Sequence, residues 1–229
     1  AGELSCDVVL VSDTTMAGKE LPSVMTGLRG LAYFEVTVKG PSRDLHSGHF
    51  GGAVVNPCNA LCSMIASLHD EKGRITIPHF YDDVHEVTSA ERAEMEKAPF
   101  DPERYKKNIG VTAVSGEAGY TTRERATIRP ALDVNGIWGG YTGEGAKTIL
   151  PSEAHAKISM RLVPGQNPEK VSQMFAEYFK SLAPEGVTVE IAPSHGAFPY
   201  VTPITDRAYR AASLALEKVY GRPAIPVRG

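Results

Sequence analysis

The segment RDLHSGHFGG, residues 43–52, concentrates side chains that could take part in catalysis. His46 and His49 could bind a metal ion, but a metal site would need further His or carboxylate ligands. Ser47 could be a nucleophile, although neighbours in sequence seldom have the required Ser–His geometry. A fixed His46 imidazole could instead donate a hydrogen bond to a developing oxyanion, because the glycines permit close backbone approach. The local sequence leaves these interpretations open, together with a purely structural histidine.

Three further residues are candidates for a binding site. Arg161 lies on the polar face of a predicted strand, where its planar guanidinium suits bidentate binding of a carboxylate; a surface ion pair is the alternative. Thr148 lies in a predicted loop, where its hydroxyl could bind a ligand or stabilise a turn. Asp13 follows the apolar run Val8–Val11, which predicts a buried strand of a parallel α/β sheet. Open α/β folds bind ligands at the carboxyl ends of their strands, so Asp13 is also a candidate.

The elements that position these residues follow from hydrophobic periodicity. Alternation predicts four strands, at residues 31–39, 132–138, 154–162 and 187–191. In the second strand, three apolar residues are expected to share one face: Leu132, Val134 and Trp138. Helical spacing predicts helices at 54–68 and 168–182, the latter starting with Asn167 as N-cap and Pro168 at its first position. The order strand, helix, strand, strand, helix, strand predicts a ferredoxin-like fold, with four antiparallel strands and two helices on one face.

The regions outside these six predicted elements differ from them in composition and predicted structure. Residues 70 to about 130 are rich in charge, Pro and Gly and predict a long insertion with short helices, for example around Thr88–Lys97. A separate helix is expected from Thr205, as N-cap, to Gly221, as the residue after the helix. The last residues, Ile225–Gly229, resemble part of a further element. We therefore expect both ends to belong to a second α/β domain; frayed termini of a self-sufficient protein are the alternative.

Composition narrows the possible functions. The 229 residues are 42% hydrophobic and 22% charged, which is ordinary for a globular protein. A net charge of −3 and a pI near 6.2 argue against a nucleic-acid partner. No run approaches the roughly 18 apolar residues of a membrane span, and no signal-peptide pattern opens the chain, so a cytoplasmic location without membrane contact is expected. G-x-S-x-G, P-loop, H-E-x-x-H and C-x-x-C motifs are all absent from the sequence.

Six motifs occur in a fixed order along the chain: VSD (11–13), GLRG (27–30), DLHSGHFGG (44–52), YDDV (81–84), GYTGEGAKTILP (140–151) and ISMRLVP (158–164). Together they resemble the carnosinase and cytosolic non-specific dipeptidase branch of the aminoacylase-type zinc metallopeptidases. The resemblance implies a zinc-binding α/β domain interrupted by a lid, or dimerisation, domain. Residues 27–193 would be that lid, with its insertion at about 70–130, and residues 1–26 and 194–229 would be segments of the catalytic domain.

The same resemblance implies roles for the candidate residues. Asp13 matches a ligand of one of two zinc ions in the intact enzyme. His46 matches a lid histidine that reaches across a homodimer and stabilises the oxyanion in the partner's active site. Thr148 matches a residue that contacts substrate, and Arg161 matches the arginine that holds the C-terminal carboxylate of a dipeptide or small peptide.

The sequence also departs from this family pattern. It contains neither the H-x-D motif nor the Glu-Glu pair that supply further metal ligands and the general base. A two-metal site needs several ligands. We therefore expect this chain alone to bind no zinc tightly and to be inactive. A non-enzymatic amino-acid-binding or oligomerisation module of ferredoxin-like fold is the alternative function.

Overall fold

The computed structural model describes residues 16–18 and 20–229. The predicted strand Val8–Val11 and the candidate Asp13 therefore lie outside the described residues. In chain order the described elements are β1 (Ser23–Leu28), β2 (Gly30–Lys39), β3 (Leu45–His46), α1 (Ser47–Phe50), α2 (Pro57–Ala66), α3 (Ser89–Glu96), α4 (Pro102–Ile109), α5 (Thr122–Thr127), β4 (Ala131–Gly139), β5 (Ile149–Leu150), β6 (Glu153–Leu162), α6 (Pro168–Ser181), β7 (Thr188–Ala197), β8 (Tyr200–Val201), α7 (Arg207–Tyr220) and β9 (Ile225–Arg228).

The largest sheet has four strands in the order β4-β6-β2-β7. Every neighbouring pair is antiparallel. Helix α2 packs against β2 and β6, and α6 packs against β2 and β7. The predicted order of strands and helices is confirmed, and the sheet is the ferredoxin-like arrangement. Two smaller sheets have the strand orders β8-β1-β9 and β3-β5.

The core lies between the helices and one face of the four-stranded sheet. Strands β2 and β6 alternate buried and more exposed positions along their whole length, as the period of a strand covered on one face requires. Phe34 of β2 packs against Phe175 of α6, with ring centroids 4.4 Å apart. Asn167 caps α6 by accepting hydrogen bonds from the first-turn backbone, and Pro168 follows it as predicted. The opposite face of the sheet carries the polar side chains.

Strand β4 corrects one prediction. Leu132 and Val134 pair with the buried residues Met160 and Ile158 and so share the predicted core face, although Val134 is 37% exposed at the sheet edge; Trp138, by contrast, is opposite His155 and is 46% exposed. The pairing with β6 shifts register between Val134 and Gly136, and such a bulge moves every later side chain to the other face. Trp138 consequently stacks on His155, with ring centroids 5.1 Å apart. Periodicity alone could not locate the bulge.

The predicted insertion contains the short helices α3, α4 and α5. Its return to the sheet is anchored by a buried ion pair in which the Arg129 guanidinium donates to both Glu117 carboxylate oxygens, at 2.7 Å each. The described residues form two compact units. One contains the described residues up to Thr26 with Ser89–Pro99 and Thr202–Val227; the other contains Gly27–Thr88, Phe100–Val201 and Arg228–Gly229. The assignment of the flanking segments to a catalytic domain stays a prediction.

The helix near the end of the chain begins one residue later than predicted. Asp206, not Thr205, is the N-cap of α7, and its carboxylate accepts a hydrogen bond from Ala208 N. Gly221 follows the helix in the left-handed conformation, as predicted, with φ of 71°. Among the described helices, none is long and apolar enough to cross a membrane.

Candidate active-site wall

The His46 loop is fixed to the segment that precedes β6. His46 pairs with Ile149 where β3 meets β5. The Asp44 carboxylate accepts hydrogen bonds from Ser152 N at 2.9 Å and Ser152 Oγ at 3.0 Å. These bonds lower the pKa of Asp44. The loop therefore presents His46 from a defined position, although the imidazole itself is exposed.

One ring nitrogen of His46 is already used within the loop. The Gly48 backbone N–H donates to His46 Nδ1 at 3.0 Å, so a neutral imidazole carries its proton on Nε2. A Cβ on Gly48 would lie 2.7 Å from His46 Cε1, so only glycine lets the ring lie against this backbone. Nε2 lies 3.4 Å from Thr148 Oγ1. The loop thus presents an Nε2–H donor beside a hydroxyl.

Two of the other interpretations of the RDLHSGHFGG segment, the metal site and the Ser–His nucleophile, find less support. His46 and His49 are close, with ring centroids 4.9 Å apart. However, no group of three or more potential metal ligands occurs among residues 16–18 and 20–229. In that part of the chain, no hydrogen bond joins the Ser47 hydroxyl to either histidine. The geometry favours a hydrogen-bond donor over a metal site or a Ser–His nucleophile.

Arg161 lies far from His46 within one chain. It is exposed, near the end of β6, opposite Leu31 of β2 and Ala131 of β4. The His46 loop adjoins the other end of β6, so the two sites are separated by about 26 Å along the strand. No hydrogen bond or ion pair of the Arg161 side chain occurs within the described residues. The structure brings His46 and Thr148 together and leaves Arg161 apart.

Sequence reasoning did not single out Arg29 or Asp133. Both lie near the end of the sheet that carries Arg161. Burial and the positive charge of Arg161 lower the pKa of Arg29, and the negative charge of Asp133 raises it. The GLRG motif was an available signal, because a charged residue between two glycines is held where the backbone approaches another segment closely.

A family model described as a peptidase dimerisation domain matches residues 26–187. The chain belongs to this family, and the resemblance to the dipeptidase branch is confirmed by individual relatives. The Cys-Gly metallodipeptidase of Schizosaccharomyces pombe is 33% identical over 94% of this chain and 46% of that protein. The human Beta-Ala-His dipeptidase is 29% identical over 94% of this chain and 43% of that protein. The chain spans about half the length of the curated relatives that it matches.

Solved structures agree with this assignment. The M20 family metallo-carboxypeptidase Sso-CP2 of Sulfolobus solfataricus has a TM-score of 0.85 at 32% identity, covering 100% of this chain and 51% of that one. The di-peptidase Dug1p of Saccharomyces cerevisiae has a TM-score of 0.79 at 30% identity, covering 95% of this chain and 46% of that one.

Proposed function

We propose that this chain is the lid and dimerisation part of a zinc-dependent dipeptidase that cleaves small peptides with a free C-terminal carboxylate. The observation that carries the proposal is the Gly48 N–H bond to His46 Nδ1, which leaves an exposed Nε2–H donor. Relatives named as dipeptidases and a solved metallo-carboxypeptidase support the substrate class. Both kinds of enzyme cut next to a C-terminal residue whose carboxylate is free.

In this proposal His46 stabilises negative charge on the carbonyl oxygen of the scissile peptide bond. A prepositioned donor contributes most when charge develops in the transition state, because it needs no reorganisation during the reaction. Thr148 Oγ1, at 3.4 Å from Nε2, accepts from His46 in the resting loop and can donate its own hydroxyl hydrogen to substrate. The imidazole thereby keeps a defined orientation before substrate binds.

Arg161 would bind the C-terminal carboxylate. Its guanidinium is exposed and has no partner in the described part of the chain, so its donors are available to a ligand. Two parallel N–H donors match the two oxygens of a carboxylate, which accounts for recognition of a free C terminus. An amide at the same position would lack the charge and one acceptor oxygen.

Among the described residues, no three potential metal ligands lie together. In the proposal, the two zinc ions and the general base belong to other parts of the intact enzyme. Asp13 remains a proposed ligand of one zinc ion. We also propose a cytoplasmic location for the intact enzyme.

The proposed enzyme is a homodimer formed through the lid. Strand β4 is an edge of the four-stranded sheet and exposes apolar side chains, including Ile137 at 51% and Trp138 at 46%. Long apolar edge strands are templates for pairing with another chain, and a two-fold axis would pair β4 with its copy. Helix α2 lies close to this edge, since a Cβ on Gly139 of β4 would lie 2.8 Å from Cys58 Sγ.

Mixed dimers of the intact enzyme test this function and the cross-subunit role of His46. We expect His46→Ala alone to lower kcat about a hundredfold, the typical cost of one oxyanion donor. We expect Asp13→Ala alone to be inactive. After subunit exchange at equal amounts, half the dimers are mixed and each contains one complete site, so about a quarter of wild-type activity should return.

The controls decide between competing interpretations. Native mass spectrometry of dimers assembled from one isotope-labelled and one unlabelled variant measures the extent of subunit exchange independently of activity. Failure of activity to return despite exchange would show that His46 acts within its own subunit or not at all. Unchanged kcat in His46→Ala would remove His46 from the mechanism.

A further inference from the structure

Arg29 occupies the single position between β1 and β2, in a backbone that is held on both sides. A Cβ on Gly27 would lie 2.9 Å from Tyr200 O, and one on Gly30 would lie 2.5 Å from Ala197 O. Both positions therefore require glycine. Arg29 N also donates to Gly229 O at 2.9 Å. The GLRG motif fixes the point from which the Arg29 side chain leaves the backbone.

The Arg29 guanidinium is half-buried and incompletely satisfied. Its Nη1 donates to Arg125 O at 3.4 Å, which is a long hydrogen bond. Its Nε is buried and has no hydrogen-bond partner in the described part of the chain. Burial lowers the pKa of Arg29, and the nearby positive charge of Arg161 lowers it further, whereas Asp133 raises it. Arginine nevertheless remains charged at neutral pH.

Arg161 and Asp133 lie at the same end of the sheet. Arg161 is opposite Leu31, two residues after Arg29, and is also opposite Ala131, two residues before Asp133. Diagonal neighbours across adjacent strands are about 7–8 Å apart, which long side chains can span. In the described part of the chain, no ion pair within 4.0 Å involves Arg29, Arg161 or Asp133. Two positive charges and one negative charge therefore leave an excess positive charge at this end of the sheet.

The surroundings do not neutralise this charge. Arg125, whose backbone carbonyl accepts the hydrogen bond from Arg29, uses its own guanidinium to donate to the carbonyl oxygens of Glu117 and Ser115. Glu117 is itself bound by Arg129. Arg29 and Asp133 also line an open cleft of about 660 Å³, so a small anion can reach Arg29 from solvent.

We propose that Arg29 is a second guanidinium of the Arg161 site, and that the two together bind one carboxylate while Asp133 limits the net charge. Two like charges held close together repel each other, and an anion placed between them relieves this cost while satisfying free donors. The inference rests on the proposed function for the identity of the carboxylate as a peptide C terminus. The existence of the paired site does not depend on catalysis.

An NMR titration of this chain with acetate at constant ionic strength tests the pair. The Arg29 and Arg161 Nε–Hε resonances should shift together and give one dissociation constant, whereas acetamide should shift neither. Arg29→Gln and Arg161→Gln should each weaken acetate binding about tenfold, the value of one charge-assisted hydrogen bond. Asp133→Asn should strengthen it. Lys157→Gln is the matched control, because Lys157 is on the same face of the sheet but pairs with Glu35 at 2.9 Å.

Other results would overturn the inference. Loss of binding in Arg161→Gln with none in Arg29→Gln would exclude the second guanidinium and leave the role of Arg161 intact. Unsaturable shifts, or equal weakening by Lys157→Gln, would exclude a specific site. Arg29→Lys serves if Arg29→Gln does not fold; it keeps the charge, loses the planar guanidinium, and should still weaken binding. If acetate binds as expected but the intact enzyme cleaves no peptide, the proposed function fails and the anion site stands.

Discussion

Gly48→Ala isolates the orientation of His46 from its chemistry. Gly48 is not in the left-handed region of backbone conformation, so alanine strains no backbone dihedral here. The added Cβ would instead lie 2.7 Å from His46 Cε1 and 2.9 Å from Nδ1. The imidazole is an exposed side-chain end and can move away, at the expense of its hydrogen bond from Gly48 N.

The expected magnitudes follow from that single bond. Loss of one hydrogen bond should lower the free energy of unfolding by about 1 kcal/mol or less, because the loop is exposed and water can replace the donor. The effect on the intact enzyme should be far larger. A displaced Nε2–H no longer points at the oxyanion, so kcat should fall towards that of His46→Ala, up to about a hundredfold.

Two measurements check this reasoning. Long-range ¹H–¹⁵N correlation spectra of this chain report the tautomer, and the wild type should show His46 protonated on Nε2 while Gly48→Ala shows a mixture. Ser47→Ala is the matched control, because it alters the neighbouring residue without touching the ring and should change neither tautomer nor kcat. A Gly48→Ala protein that keeps the Nε2–H tautomer and full kcat would refute the argument that this bond orients His46.

Three further predictions concern other parts of the structure. In the intact enzyme, Arg161→Lys should raise KM for dipeptides about tenfold, and leave KM for their C-terminal amides unchanged, because only the carboxylate uses a bidentate fork; equal effects on both substrates would contradict carboxylate binding. In this chain, Glu117→Gln should destabilise the fold by about 3–5 kcal/mol in urea unfolding because it leaves the Arg129 charge buried, whereas Glu190→Gln, at an exposed pair, should cost less than about 1 kcal/mol. Folding lowers the pKa of Asp44, so its stabilisation of the His46 loop is complete above the unfolded-state pKa of about 4 and is lost as the pH falls through the lowered value; amide exchange at the Asp44 hydrogen bonds should rise over that interval, and Asp44→Asn should abolish the pH dependence.

The sequence predicted those parts of the fold in which local pattern and tertiary environment agree. Strands β2 and β6 lie at the centre of the sheet, so every second side chain meets the helices and the alternation is unbroken. Strand β4 lies at an edge, where the bulge after Val134 is tolerated and moves Trp138 to the open face. The predicted α7 N-cap, Thr205, differs from the observed Asp206 by one residue, because both side chains can accept the same backbone hydrogen bond.

Less of the candidate site could be predicted from the sequence. His46, Thr148 and Arg161 were named from their motifs, and their roles stay predictions. The hydrogen bond between Gly48 N and His46 Nδ1 depends on the fold of the loop, so no spacing rule could reveal it. Arg29 was missed because its environment is made by segments far away in sequence, including Arg125 O and the charge of Arg161.

If β4 pairs with its copy, the dimer explains why His46 and Arg161 lie far apart within one chain. Gly139, at one end of β4, is opposite Ala154, close to the His46 loop, whereas Ala131, at the other end, is opposite Arg161. Antiparallel pairing about a two-fold axis brings the end of one β4 next to the beginning of the other. The His46 end of each lid then approaches the Arg161 end of its partner, although the two ends of β6 are about 26 Å apart within one chain. A single edge contact would thus complete two equivalent sites, and any substitution that separated the β4 edges should remove both the dimer and the activity.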